Sequence, residues 1–139
     1  MGAVKMRDWV QLIGGGRLVL VVDDDAQIRA YIKTILKGAD FQVLEAADGV
    51  NALEVFDVWR KSIDLVITDI RMPRMTGRDL ARSLRSQRPA IPVLFVSGES
   101  ASPDLNDPGK GFFFLEKPFG PKALLDIVRR LLQLIPVGC

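Results

Sequence analysis

Short apolar runs alternate along the chain with longer stretches whose apolar positions return every third or fourth residue. Leu18-Val19-Leu20-Val21-Val22 and Leu65-Val66-Ile67 have no polar interruption and are rich in β-branched residues, the pattern of strands buried on both faces. Phe41 to Ala46 alternates in part, which suits an edge strand, and Pro92 to Val96 and Phe112 to Glu116 read as two further strands. Between them lie helical patterns. Ile28, Tyr31, Ile32, Ile35 and Leu36 share one face, and Gly38 is expected to end that helix as a C-terminal cap. Gly49 to Arg60 should bury Ala52, Leu53, Phe56 and Trp59, and Arg78 to Gln87 forms a third helix. Pro121 suits the first position of the last helix.

Strand alternating with helix predicts an α/β fold with a parallel sheet covered on both faces. The expected organisation is an N-terminal extension over 1–16 that ends in three glycines, one domain over 17–135, and a tail over 136–139. Between Ser97 and Phe112 the pattern fails. Residues 99–111 carry two prolines and two glycines, and at best one helical turn is expected there.

Composition narrows the chemistry more than the fold. The 139 residues include no histidine and a single cysteine, Cys139, which excludes Ser-His and Cys-His nucleophile pairs, histidine-ligated metals and an intrachain disulfide. A reducing cytoplasm is the natural setting. No apolar run approaches the ~20 residues of a membrane span, and a net charge of +2 gives no general argument for nucleic acid. Six arginines fall between Arg71 and Arg88, and a solvated helix face is the expectation for them.

The polar residues at the strand ends carry the chemistry. The first strand runs into Asp23, Asp24 and Asp25, the third ends at Asp69, the fourth at Ser97 and the fifth at Lys117. A parallel sheet brings all of these to one edge, where α/β proteins gather their ligands. Carboxylates converging there repel. At an effective dielectric of ~20, two unit charges 4 Å apart cost about 4 kcal/mol, so either a proton is retained or a cation is bound. Oxygen ligands alone suit Mg²⁺, and a carboxylate beside Mg²⁺ and an ammonium group is a competent nucleophile toward phosphorus. Asp25 reads as a helix N-cap only.

Val21-Val22-Asp23-Asp24-Asp25, Thr68-Asp69-Ile70-Arg71-Met72-Pro73, Ser97-Gly98 and Lys117-Pro118-Phe119 together resemble the receiver domain of two-component response regulators, over residues 17–135. The resemblance implies a flavodoxin-like five-stranded sheet in the order 2-1-3-4-5. It implies that Asp69 accepts a phosphoryl group from a phosphohistidine on a histidine kinase or histidine phosphotransfer protein. Asp24, Asp69 and the carbonyl of Arg71 would hold Mg²⁺, with Asp23 acting mainly through water. Ser97 and Lys117 would contact the phosphoryl oxygens, and the Lys117–Pro118 bond would be cis. Phe114 would be the aromatic switch that follows Ser97, here without the hydroxyl of the tyrosine common at that position. The protein would be a signalling domain rather than a turnover enzyme, without direct nucleic-acid or membrane partners.

Two features depart from that pattern. The weak segment after Ser97 falls where the family has its fourth helix and its usual dimerisation face. The last helix instead has a wide apolar face: either all of it covers the core, or its margin of Ile127, Leu131 and Leu134 offers a surface for a second copy or a docking partner. Arg71 and Glu99, flanking the mouth of the site, are expected to pair and obstruct hydrolytic water. With only four residues after Ile135, no output domain is expected; stand-alone regulators and receivers carried on hybrid kinases are the two contexts it resembles. The competing readings are a Mg²⁺-dependent phosphohydrolase using Asp23, which would want a threonine where Gln27 stands, and a phosphorylation-silent binding module.

Overall fold

The computed structural model describes residues 16–98 and 112–133. The apolar runs form β1 (Leu18–Val22), β2 (Gln42–Ala46), β3 (Ile63–Asp69), β4 (Val93–Ser97) and β5 (Phe112–Glu116). The helices described are α1 (Ala26–Gly38), α2 (Gly49–Trp59), α3 (Gly77–Gln87) and α4 (Pro121–Leu131). All four strand pairings are parallel, in the order β2-β1-β3-β4-β5. The half-alternating strand is at the edge, as its pattern requires.

Side-chain alternation along the strands divides the apolar residues into two layers. Leu20, Val22, Val66 and Phe95 pack with Ala52 and Phe56 of α2 and Leu80 and Leu84 of α3. Val19, Val21, Leu65, Ile67, Leu94 and Val96 pack with Ile32 and Leu36 of α1 and Leu124 and Val128 of α4. Phe56 is fully buried, which is worth roughly 1.5–3 kcal/mol for a side chain of this kind. Where β1 meets β3 the register shifts, so that Leu18 faces Ile63 while Val19 faces Leu65. Asp64, the residue left over, accepts from the Leu18 amide at 2.8 Å and pairs with Arg17.

Local chemistry sets the helix ends. Asp25 caps α1 by accepting from the amides of Gln27 and Ile28, and Asp48 caps α2 through Asn51. Thr76 and Asp79 form a reciprocal capping box on α3, and Pro121 opens α4. Gly38 is not the cap expected of it. It is the last residue of α1, Ala39 takes the cap position, and the left-handed residue is Asp40 at φ 67°. The helix is satisfied there by amides of Ala39 and Phe41 bonding to the carbonyl of Leu36.

Two expectations of burial also fail. Trp59 is 46% exposed and Tyr31 41% exposed. Trp59 is the last residue of α2, where the chain turns away toward β3, and Tyr31 lies at the edge of α1's apolar stripe. Leu53 is half-buried against the core. Nor are the six arginines all solvated. Arg74, Arg78 and Arg82 are exposed, but Arg85 donates to the carbonyl of Ile91 and Arg88 to those of Arg60 and Ile63, tying the end of α3 to the start of β3. In α4, Ile127 and Leu131 are half-buried against the core, as the wide apolar face of a core helix would be. Leu134 and the segment 99–111, with Glu99, lie outside the described residues.

Candidate functional site

The parallel register delivers the strand-end residues to one edge. Val22 lies beside Thr68, and Asp69 lies beside Val96, so Asp23, Asp69 and Ser97 follow one another along that edge. Ser97 lies beside Glu116, and the amide of Lys117 donates to the carbonyl of Ser97 at 2.7 Å. The Lys117–Pro118 bond is cis.

Asp23 is fully buried, Asp69 is 8% exposed and Ser97 3% exposed, while Asp24 stands at the open side. Each of the three aspartates offers a carboxylate oxygen within 4.8 Å of those of the other two. Lys117 lies between the inner pair, its Nζ 3.2 Å from Asp23 Oδ2 and 3.2 Å from Asp69 Oδ2. The second oxygen of each is held by main chain: Asp23 Oδ1 accepts from the Asp25 amide at 2.9 Å, and Asp69 Oδ1 from the Arg71 amide at 3.2 Å. One ammonium against three carboxylates leaves the cluster short of positive charge. Hard oxygen donors at this separation fit a small divalent cation such as Mg²⁺.

Burial pushes the Asp23 carboxyl above its ordinary value, and the Asp69 charge adds to this; the Asp25 amide and Lys117 oppose it without cancelling it. Burial would by itself lower the Lys117 ammonium, but the charges and hydrogen bonds of Asp23 and Asp69 outweigh it and raise the pKa. For Asp23 the folded state therefore holds its proton to higher pH than the unfolded chain, so stability falls as pH rises from 3.8 through the folded value. Asp23→Asn removes that liability and keeps an acceptor for the Asp25 amide. At pH 7 without Mg²⁺ its melting temperature should rise by about 3 °C, a shift typical of a change below 1 kcal/mol in a domain this long. The gain should vanish as pH falls toward 3.8. Thermal melts of both proteins across that range, without divalent cations, check it.

The loop beyond β3 is held against the site by close backbone approach. The Gly77 amide donates to the carbonyl of Ile70 at 2.8 Å, and a Cβ on Gly77 would lie 2.2 Å from the carbonyl oxygen of Asp69. Thr68 is buried and donates to the same carbonyl at 3.0 Å. Tyr31 Oη donates to the carbonyl of Phe119 at 2.9 Å, bracing the turn that carries Lys117. Arg29 Nη1 donates to the main-chain carbonyl of Asp23 at 2.6 Å. Of these four residues, Thr68 falls inside the motif around Asp69 and Gly77 opens α3 a few residues past it, whereas Tyr31 and Arg29 carry no signal of the site in the sequence. Of the expected site residues, Arg71 is exposed at the mouth and Phe114 lies further off, half-buried beside Phe95 against the α2–α3 layer.

Comparison with known proteins points the same way. Residues 19–129 match the response regulator receiver domain family. The chain is 36% identical over 124 residues to the sensor kinase CckA of Brucella abortus, covering 87% of this chain and 13% of that protein. It is 34% identical over 125 residues to the two-component response regulator ORR5 of Oryza sativa subsp. japonica, covering 86% of this chain and 92% of that one. The crystal structure of the chemotaxis protein CheY4 of Vibrio cholerae superposes with a TM-score of 0.74 at 36% identity, covering 84% of this chain and 98% of that chain. The chain spans between 13% and 48% of the length of the first curated relatives it matches.

Proposed function

This chain belongs to the response regulator receiver domain family, a phosphoacceptor family of two-component signalling, and from that premise we propose that Asp69 is its acceptor, assisted by Mg²⁺ held among Asp23, Asp24, Asp69 and the carbonyl of Arg71. The observation that carries the proposal is the position of Lys117, equidistant from Asp23 and Asp69 at the only edge where three carboxylates meet among the described residues. Mg²⁺, when bound, would neutralise charge on the phosphoryl oxygens. A carboxylate oxygen of Asp69 forms the new P–O bond as the donor's P–N bond breaks, its electron pair leaving with the histidine nitrogen, which takes up a proton. Lys117 and the hydroxyl of Ser97 receive the phosphoryl oxygens, and the Arg71 amide holds the carboxylate in line. Such transfer depends on alignment and charge neutralisation more than on covalent help.

The donor we propose is a histidine kinase or histidine phosphotransfer protein, a reading supported by similarity to the sensor kinase CckA and to the autoinducer sensor kinase LuxN of Vibrio harveyi. The product is a signal rather than a released metabolite, passed on by protein contact in the cytoplasm, with Ser97 and Phe114 as the moving parts. Among the described residues no helix is long and apolar enough to cross a membrane. The hydrolase reading is disfavoured by Asp23 itself. Its carboxylate is fully buried, whereas a nucleophile must be reachable and Asp69 keeps part of its side chain open.

Incubation with acetyl phosphate and Mg²⁺ tests the proposal. Intact mass should show a labile gain of one phosphoryl group that EDTA prevents. Absence of any modification with Mg²⁺ present, or continuous turnover of phosphate esters, would contradict it.

A further inference from the structure

We infer that Arg29 is a positioning residue for this site, acting through the peptide between Asp23 and Asp24; the inference rests on the reading of the acidic cluster given above. Arg29 lies in the first turns of α1 and reaches back to the end of β1. Its Nη1 donates to the Asp23 carbonyl at 2.6 Å, while its Nε is held by Glu45 Oε1 at 3.2 Å. Lys33, one turn further along α1, fixes the other oxygen of Glu45 at 2.8 Å. The Asp23 amide donates to the carbonyl of Ala46 at 3.2 Å. The main chain of Asp23 is thus gripped by β2 on its amide side and by α1 on its carbonyl side.

That grip decides where two carboxylates point. A peptide unit is planar, so an anchored Asp23 carbonyl oxygen fixes the plane that also contains the nitrogen and Cα of Asp24. Asp23 must turn inward to complete burial while Asp24 stays at the open side, yet their carboxylate oxygens must remain within 4.8 Å of each other and of Asp69. Repulsion among the three acts to swing the Asp23–Asp24 peptide outward, and the Arg29 bond resists that swing. Arg29 shares Glu45 with Lys33 and spends Nη1 on a main-chain carbonyl rather than on a carboxylate of the cluster, so its influence there is orientational. A guanidinium serves the carbonyl and Glu45 from two nitrogens of one rigid plane, whereas lysine must meet both acceptors with a single nitrogen on a flexible stem.

Isothermal titration calorimetry of the full chain with Mg²⁺ tests this, together with apo melting temperatures. Removing a partner that orients metal ligands typically weakens affinity 10–100-fold, so Arg29→Ala should weaken Mg²⁺ binding about tenfold. Arg29→Lys should weaken it about threefold, and Glu45→Gln, which keeps an acceptor for Nε, should stay within about twofold of wild type. Raising Mg²⁺ in proportion should restore the rate of phosphoryl uptake in the arginine variants. Tighter binding by Arg29→Ala would show a charge effect and overturn the inference. So would lower apo melting temperatures with unchanged affinity, the mark of a purely structural residue. If Arg29→Ala does not fold, Arg29→Lys decides: wild-type affinity there overturns the inference. A wild-type chain that binds no Mg²⁺ would overturn the site reading itself, a result distinct from wild-type binding that the variants do not change.

Discussion

Asp69→Asn is expected to reduce phosphoryl uptake from acetyl phosphate by about 10³-fold or more, as loss of a nucleophile does, without unfolding the protein. The amide keeps the size of the side chain and an acceptor for the Arg71 amide, which lies 3.2 Å from Asp69 Oδ1 in the wild type. It loses the negative charge that makes the carboxylate oxygen nucleophilic toward phosphorus. One of three crowded carboxylates also disappears, leaving Lys117 paired with Asp23 at 3.2 Å. The variant should therefore melt no lower than wild type in the absence of Mg²⁺. Intact mass and a thermal melt on the same preparation separate loss of chemistry from loss of fold. Residual uptake near the wild-type rate would mean that another group is the acceptor.

Gly77→Ala is expected to damage stability and site together, although Gly77 carries no chemistry. The added Cβ would stand 2.2 Å from the carbonyl oxygen of Asp69 and 3.0 Å from the Cα of Ile70. These are backbone atoms of the strand end and cannot step aside as a flexible side chain could. Either the start of α3 or the end of β3 must move, and overpacking of this kind costs about 3 kcal/mol. In a domain of this size that corresponds to a fall of roughly 10 °C in melting temperature. Phosphoryl uptake by the remaining folded protein should also slow, because the strained carbonyl belongs to Asp69 itself. A melt within about 2 °C of wild type would show that the helix and strand do not meet this closely.

The features legible in the sequence were those written in periodicity or in residue type at a strand end. The runs 18–22 and 65–67 announced buried strands and their alternation with helices a parallel sheet, whereas the order β2-β1-β3-β4-β5 followed only from the family resemblance. Asp23, Asp24, Asp69 and Lys117 could be gathered in advance because parallel strands share an edge, and the structure does gather them. What escaped were contacts of side chains with main chain. The bonds of Arg29 to the Asp23 carbonyl and of Arg88 to the carbonyls of Arg60 and Ile63 leave no trace in hydrophobic pattern. Six arginines therefore read as one solvated face, when Arg85 and Arg88 are anchors. Trp59 misled because helical phase extrapolates to the last turn, where the chain has already left the core. Gly38 misled because a glycine near a helix end reads as the left-handed cap, a conformation that Asp40 takes instead.

Where the phosphoryl group sits is the most direct question. Borohydride reduces an aspartyl phosphate to homoserine, which marks the acceptor permanently. After uptake in Mg²⁺ and reduction, trypsin should release Ser62–Arg71, holding Asp64 and Asp69, apart from Leu18–Arg29, holding Asp23, Asp24 and Asp25. Fragment masses from tandem spectrometry assign the position within each peptide. The account predicts homoserine at residue 69 and nowhere else. Homoserine at residue 23 or 24 would contradict it.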